Sequence, residues 1–118
     1  MKFYSLPIEF HGMISTIGAS WEGYAIEEVI KAYAPDQVYF WATHSGAELD
    51  LMLIKDGLRI GVECKWVDAP KLTPSMRTAF SALDLSKLLV IYPGQLAYPL
   101  DEKIEALPFA RLAENPNF

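Results

Sequence analysis

The chain has 118 residues, of which 52% are hydrophobic and 13% aromatic; this excludes a disordered chain and suffices for one domain with a buried core. Ten basic and fifteen acidic residues give a formal net charge of −5, which argues against indiscriminate nucleic-acid binding. The lone Cys64 excludes an intramolecular disulfide and a cysteine-cluster zinc site. No segment approaches the ~20 apolar residues of a membrane span. The N-terminus also lacks a signal-peptide pattern, so we expect a cytoplasmic protein without a membrane partner.

The first part of the chain predicts an N-terminal segment and one helix. Residues 1–19 mix glycine, proline and apolar residues without clear periodicity. Ser20 is a suitable N-cap for a helix that runs to about Tyr33, because Ala34-Pro35 disfavours a further helical turn. An apolar stripe at helical spacing marks the buried face of this helix: Ile26, Val29, Ile30 and Tyr33. Glu22 falls on the same stripe in the first turn. It is either a helix-end acid favoured by the helix dipole or a carboxylate directed at the sheet.

Three strands are predicted next, near residues 37–43, 47–55 and 58–66, and they form a meander. Asp56-Gly57 is a strong signal for a type I′ hairpin turn between the last two. With this turn, Asp50 lies opposite Glu63, and Glu48 lies opposite Lys65. Side chains alternate along a strand, which predicts a core face made of Leu49, Leu51, Leu53, Ile60, Val62, Cys64 and Trp66. The opposite face then carries Glu48, Asp50, Met52, Arg59, Gly61, Glu63 and Lys65.

The predicted pairing of Asp50 with Glu63 places two carboxylates side by side, which destabilises a strand pair unless a cation lies near them. Lys65 could provide the positive charge. A hard metal ion such as Mg²⁺ could do so as well, because it prefers a few carboxylate oxygens and keeps several waters. The alternative is a solvated polar face that holds a Glu48–Lys65 ion pair.

The second half of the chain predicts one helix and one buried strand. Thr73-Pro74 is typical of a helix start, and Met76, Phe80 and Leu83 give that helix an apolar stripe. Lys87 to Tyr92 is a continuous apolar run that predicts a buried strand in parallel pairing. The segments Leu96–Leu100 and Ile104–Leu107 are edge strands at most, and residues 109–118 form a tail. The predicted class is α/β (α+β), with the order α-β-β-β-α-β and a mixed sheet flanked by helices.

For the other candidate functional side chains, an ordinary structural role is the better explanation. Cys64 belongs to the predicted core face and is expected to be inert. His44 in a turn and His11 are weak candidates as ligands. Arg77, near the start of the second helix, is suited to phosphate but is better explained as surface charge. Between Lys55 and Lys87 six basic and four acidic residues occur, so the candidate site lies in a modestly basic region.

The order of elements resembles that of the PD-(D/E)XK nuclease superfamily, with an acid on the first helix, Asp on the second strand and Glu-x-Lys on the third. A closer resemblance is to the uncharacterised domain at the C-terminus of many prokaryotic AAA-type ATPases. Four segments carry it: GASWEGYAIEEVI, YFWATHSGAELDLML, GVECKWVDAPKLTPSM and YPGQLAYPL. The resemblance extends from about Leu6 to Pro108. The ATPase part is not included, since the chain has no G-x-x-x-x-G-K-[ST] phosphate-binding loop.

This resemblance implies a restriction-endonuclease-like fold and a metal site. Asp50, Glu63 and the backbone carbonyl of Cys64 would bind Mg²⁺ or Mn²⁺, and Glu22 would bind it through water or hold a second ion. Lys65 would position or deprotonate the attacking water and stabilise developing charge. The bulky Trp66, which follows the motif lysine, is expected on the core face, away from the site. The implied reaction is hydrolysis of a phosphodiester bond in nucleic acid.

Two alternatives to an active nuclease remain open at this stage. The first is a non-catalytic interaction or regulatory module with an ATPase partner, which the acidic total charge and the missing ATPase favour. The second is an isolated domain whose exposed former interface forms a homodimer.

Overall fold

The computed structural model describes residues 2–5, 21–42 and 48–114. These residues form a mixed sheet with one helix on each face, in an α+β arrangement. The elements in chain order are β1 (Lys2–Ser5), α1 (Trp21–Tyr33), β2 (Gln37–Ala42), β3 (Glu48–Lys55), β4 (Leu58–Cys64), α2 (Pro74–Ala82), β5 (Lys87–Tyr92), β6 (Tyr98–Asp101), β7 (Ile104–Pro108) and a 3-10 helix (Phe109–Arg111). The predicted order α-β-β-β-α-β is confirmed.

The described strands are arranged β1-β2-β3-β4-β5-β7-β6 in one seven-stranded sheet. Strands β1 to β4 pair antiparallel, as do β6 and β7. In contrast, β5 pairs in parallel with both β4 and β7, which confirms the predicted parallel pairing of the apolar strand. The sheet therefore changes from antiparallel to parallel at β4.

The turn between β3 and β4 sets the register that the candidate site depends on. Asp56 has φ 52° and Gly57 has φ 80°, and both positive values are required by a type I′ turn. Lys55 pairs with Leu58, and the ladder continues to the pair Leu51–Val62. The predicted register is confirmed over these residues, and Asp50 and Glu63 follow directly after the last pair.

Two hydrophobic clusters cover the two faces of the sheet. Helix α1 packs on one face, in a cluster that includes Val29, Tyr33, Leu51, Leu53, Ile60, Val62, Cys64 and Ile91. Helix α2 packs on the other, with Trp41, Leu49, Met52, Met76, Leu83, Leu88 and Val90. Met52 and Gly61 are thus buried beneath α2. The alternative of a solvated polar face is wrong for this part of the hairpin, because a second helix covers it.

The predicted core face of the β3–β4 hairpin is wrong at two residues, Leu49 and Trp66. Leu49 packs with the α2 cluster instead of the α1 cluster, because the β2–β3 register shifts between Tyr39 and Trp41. An extra residue on β3 changes the side to which the preceding side chain points. Trp66 is 62% exposed, because β4 ends at Cys64. The alternation of a strand therefore does not extend to residue 66.

Three further predictions need correction. The segment before residue 20 was expected to lack regular structure, yet β1 pairs with β2; four residues are too short to show periodicity. Strand β7 is an interior strand, flanked by β5 and β6, because its only proline, Pro108, is its last residue. The predicted tail contributes to the core, since Leu112 is buried and Phe109 packs against the α1 cluster.

Helix α2 starts as the sequence indicates. The Thr73 hydroxyl oxygen accepts a 3.2 Å hydrogen bond from the backbone N–H of Met76, and proline follows in the first turn. Several predictions lie outside the described residues: the Ser20 cap, His11, His44, the Glu48 side chain and its pairing with Lys65, and the end of the tail at 115–118.

Candidate functional site

The candidate site lies at the carboxyl end of β4. Because β4, β5 and β7 are parallel, their carboxyl ends share one edge of the sheet. The beginning of α1 reaches the same edge, where Trp21 contacts the rings of Trp66 and Phe109. This is the edge of an α/β sheet at which ligands commonly bind.

Asp50 reaches the end of β4 through its side chain. The β3–β4 ladder ends at the pair Leu51–Val62. Beyond it, the backbone N–H of Cys64 donates a 2.7 Å hydrogen bond to Oδ2 of Asp50. The register shift in β3 lies at this point and gives the carboxylate access to the Cys64 amide. One Asp50 oxygen is thus fixed by the backbone of the neighbouring strand.

Glu63 is the one charged side chain that counts as buried among the described residues, with 9% exposure. Its Oε2 lies 3.4 Å from Nζ of Lys65, whose own side chain is 41% exposed. Burial, and next the negative charge of Asp50, raise the pKa of Glu63 from 4.5 to about 7, against the opposing effect of Lys65 and a backbone hydrogen bond from Asp50. Burial is thus the main reason that Glu63 favours its protonated form, and the neighbouring Asp50 adds to it.

Cys64 lies between these carboxylates but is not a nucleophile candidate. Its side chain is 2% exposed and belongs to the α1-side core. Burial raises the pKa of the Cys64 thiol well above its ordinary value, and the charges of Asp50, Glu63 and Glu22 raise it further. The thiol therefore stays protonated and inert. The same interactions show that the three carboxylates all lie within electrostatic reach of one residue.

Glu22 is directed at the sheet. Although its side chain is exposed, its Oε2 accepts a 3.2 Å hydrogen bond from the backbone N–H of Trp66. This contact links the first turn of α1 to the residue after Lys65. Of the two readings of Glu22, the structure supports the carboxylate that points to the end of β4.

The carboxylates near the end of β4 meet part of what a metal ion requires. Throughout residues 21–41 and 49–114, no group of three His, Cys, Asp or Glu side chains is positioned to hold one. Two carboxylates, Asp50 and Glu63, do lie together, since the charge of Asp50 adds to burial in raising the pKa of Glu63. This chemistry fits a hard cation that takes two protein carboxylates and retains several waters. The role of Glu22 as a ligand through water stays a prediction.

Two features near the site were not anticipated from the sequence. One is the Trp66 backbone N–H as the partner of Glu22, which depends on where β4 ends. The other is the ring contact of Trp21 with Trp66, at 5.2 Å between centroids. Arg77, by contrast, is surface charge as predicted, and its Nη1 lies 3.3 Å from the Asp101 carboxylate.

A cavity in the described part of the chain lies away from these carboxylates. It has a volume of about 500 Å³ and is lined by Gln37, Tyr39, Met52, Ile54, Gly57 and Arg59. It borders the hairpin turn, at the opposite end of β3 and β4 from the carboxylates, so it offers no support for their chemistry. No helix within the described ranges is long and apolar enough to cross a membrane.

Comparison with known proteins places the chain in a family. It belongs to the family described as Domain of unknown function (DUF4143), whose pattern matches residues 17–112. Uncharacterised proteins of Mycobacterium bovis (Mb2031c) and Mycobacterium tuberculosis (Rv2008c) are each 39% identical to it over 92 residues, covering 78% of this chain. The chain spans about a fifth of the length of these relatives, 21% in each case. No solved structure matches it significantly.

Proposed function

We propose that this chain is a nuclease-like domain that hydrolyses phosphodiester bonds in nucleic acid with the help of Mg²⁺ or Mn²⁺. The observation that carries the proposal is the pair of carboxylates, the buried Glu63 and the partly buried Asp50, with Lys65 beside Glu63. The proposal also draws on the sequence resemblance to the PD-(D/E)XK superfamily, in which Glu22, Asp50, Glu63 and Lys65 supply the expected residue types on the expected elements.

In this proposal each residue at the end of β4 has a defined task. Asp50 and Glu63 hold the cation with the backbone carbonyl of Cys64. The cation supplies the ability to lower the pKa of a bound water and to offset phosphate charge. The Asp50 carboxylate is already oriented by the Cys64 amide, so it needs little reorganisation to bind a cation.

Lys65 acts on the phosphate and the attacking water, and Glu22 acts on a second water or a second ion. The Lys65 ammonium group lies 3.4 Å from Glu63 and can turn to a phosphate oxygen, where a fixed positive charge stabilises the charge that develops during hydrolysis. Lys65 also positions the attacking water. Glu22, held by the Trp66 amide, binds a second water next to the pair or holds a second ion.

The second candidate is a non-catalytic interaction or regulatory module of an ATPase. Two observations favour it. First, within the described ranges the carboxylates do not form a three-ligand group. Second, the relatives are far longer than the chain, and domains of this family often occur in ATPase-associated proteins. A module of this kind would keep the fold and the ion pair of Lys65 without cutting nucleic acid.

Cleavage assays separate the two candidates. Labelled DNA and RNA, single- and double-stranded, are incubated with wild type, Asp50→Asn and Glu63→Gln, in Mg²⁺, Mn²⁺ or EDTA. Asp36→Asn is the matched control, because Asp36 also accepts one backbone N–H, from Asp56, but lies at the hairpin turn. The proposal expects cation-dependent cleavage by wild type and Asp36→Asn and its loss in the other two. No cleavage by any form would favour the non-catalytic module, and cleavage that survives Asp50→Asn would assign the activity to a different site or to a contaminant.

A further inference from the structure

The large hydrophobic side chains that are exposed in the described part of the chain concentrate at one edge of the sheet. They are Tyr24 (52%), Leu58 (42%), Trp66 (62%), Val67 (44%) and Leu96 (70%). Leu58 lies at the hairpin turn. The other four follow β4 or β5 or lie in the first turn of α1, at the same edge as the candidate site. An apolar surface beside a polar site is a common mark of binding.

Two of these exposed side chains, Tyr24 and Trp66, form a continuous group with the partly buried rings of Trp21 and Phe109; this group is here called the aromatic rim. Ring centroids lie 5.2 Å apart for Trp21–Trp66, 5.6 Å for Trp21–Phe109 and 5.5 Å for Tyr24–Phe109. The interplanar angles lie between 44° and 63°, so no ring of the rim covers another face to face. Trp66 and Tyr24 are 62% and 52% exposed, which leaves part of each ring for contact with a planar partner.

The rim is linked directly to the carboxylate site. Trp66 follows Lys65 in sequence, and its backbone N–H donates to Glu22. A planar group stacked on Trp66 would thus lie within a few residues of the Asp50–Glu63 pair. Exposed cations occur next to the rim in sequence, at Lys71 in the loop after β4 and at Arg111 after Phe109.

We propose that the aromatic rim stacks the unpaired bases of single-stranded nucleic acid and so selects a single-stranded or frayed substrate for the adjacent site. The substrate class rests on the proposed function, whereas the stacking rests on the rim itself. Aromatic side chains bind single strands because every base has a stacking face. In double-stranded nucleic acid the bases are stacked on each other and cannot reach Trp66. The net charge of −5 makes phosphate attraction a weak source of affinity, so stacking must provide most of it.

Binding is measured in EDTA, so that it does not depend on the metal site. The probes are a labelled single-stranded DNA of about 12 nucleotides, within the range of site sizes for single-strand binders, an abasic strand of equal length, and the corresponding duplex. Trp66→Ala is compared with Trp66→Phe, which keeps an aromatic plane, and with Leu58→Ala, which removes an exposed apolar side chain at the other end of the hairpin. Thermal unfolding checks that each variant is folded.

We expect wild type and Leu58→Ala to bind the single strand more tightly than the abasic strand or the duplex. Trp66→Ala should weaken binding about 5- to 100-fold, and Trp66→Phe should restore most of it. Equal affinity for normal and abasic strands would overturn the proposal. It would also be overturned if Trp66→Ala abolished a dimer in sedimentation but left strand binding unchanged, since the rim would then be a protein interface. Stacking without cation-dependent cleavage would refute the proposed function alone, and cleavage without stacking would refute this inference alone.

Discussion

The backbone amide of Cys64 donates a hydrogen bond to the carboxylate of Asp50, at 2.7 Å. The two strands stop pairing at this point. The Asp50 side chain, instead of a backbone carbonyl of β3, therefore accepts the hydrogen bond from Cys64. The contact orients one carboxylate toward the end of β4, where Glu63 and Lys65 already lie. A local irregularity of the sheet is therefore what brings the candidate site together.

Replacing Asp50 separates its structural role from its charge. Asp50→Ala leaves the Cys64 N–H without its acceptor, which should cost about 1–3 kcal/mol in the free energy of unfolding. Asp50→Asn retains an acceptor oxygen and removes a charge that opposes ionisation of Glu63, so it should be the more stable of the two variants. Urea unfolding at pH 8 measures both. Equal stability of the two variants would mean that the hydrogen bond contributes little.

Glu63 should make stability depend on pH. Its pKa in the folded chain is raised from 4.5 to about 7, so the folded state holds a proton that the unfolded state has lost in this window. The free energy of unfolding should therefore fall as pH rises from about 4.5 to about 7, by roughly 3 kcal/mol. Glu63→Gln should remove this slope, whereas Glu105→Gln, on the partly exposed partner of Lys87, should keep it. The measurement is urea unfolding across pH without divalent cations.

Two glycine variants test the hairpin register and its packing. A Cβ on Gly61 would lie 2.6 Å from Cδ1 of Leu85 and 2.8 Å from Cδ1 of Leu88, so Gly61→Ala should destabilise the fold by about 1–3 kcal/mol through overpacking. Gly57→Ala meets no atom within 4 Å and should cost about 1 kcal/mol, because its φ of 80° disfavours a side chain. Thermal unfolding compares them. A neutral Gly61→Ala would contradict the close packing of the Leu85 and Leu88 side chains over Gly61.

Lys65→Gln should lower the rate of cleavage without preventing cation binding. Loss of one fixed charge that stabilises a transition state typically lowers kcat by about 10²–10³-fold, while the two carboxylates remain. Lys87→Gln is the control, because Lys87 forms a similar ion pair, 3.3 Å from Glu105, away from the site. Equal loss of cleavage in both variants would show that the effect is not specific to the site.

Much of the fold could be predicted, because its signals are local. The Asp56-Gly57 turn, the Thr73 cap and the apolar run from Lys87 to Tyr92 each depend on a few neighbouring residues, and all three are confirmed. The register of the hairpin followed from the turn alone. Strand β1 and the interior position of β7 depend on pairing with distant strands, which local patterns do not encode.

The residues of the candidate site could be named from the sequence, but the burial and the direction of their side chains could not. The register brought Asp50 next to Glu63, and the helix stripe directed Glu22 inward. The burial of Glu63, which is 9% exposed, depends on packing between distant parts of the chain, which strand alternation alone does not reveal. The exposure of Trp66 depends on the end of β4 at Cys64, and the side to which Leu49 points depends on the register shift in β3. Irregularities of this kind have no clear sequence signal.

Cation binding by the Asp50–Glu63 pair is measured by calorimetric titration of Mn²⁺ and Mg²⁺ into the wild-type chain, with Asp50→Asn, Glu63→Gln and the control Asp36→Asn measured in parallel at pH 8. We expect wild type and Asp36→Asn to bind a divalent cation, and removal of either carboxylate of the Asp50–Glu63 pair to weaken binding strongly. Absence of binding by the wild type at millimolar cation, or equal binding by all four forms, would contradict cation binding by this pair.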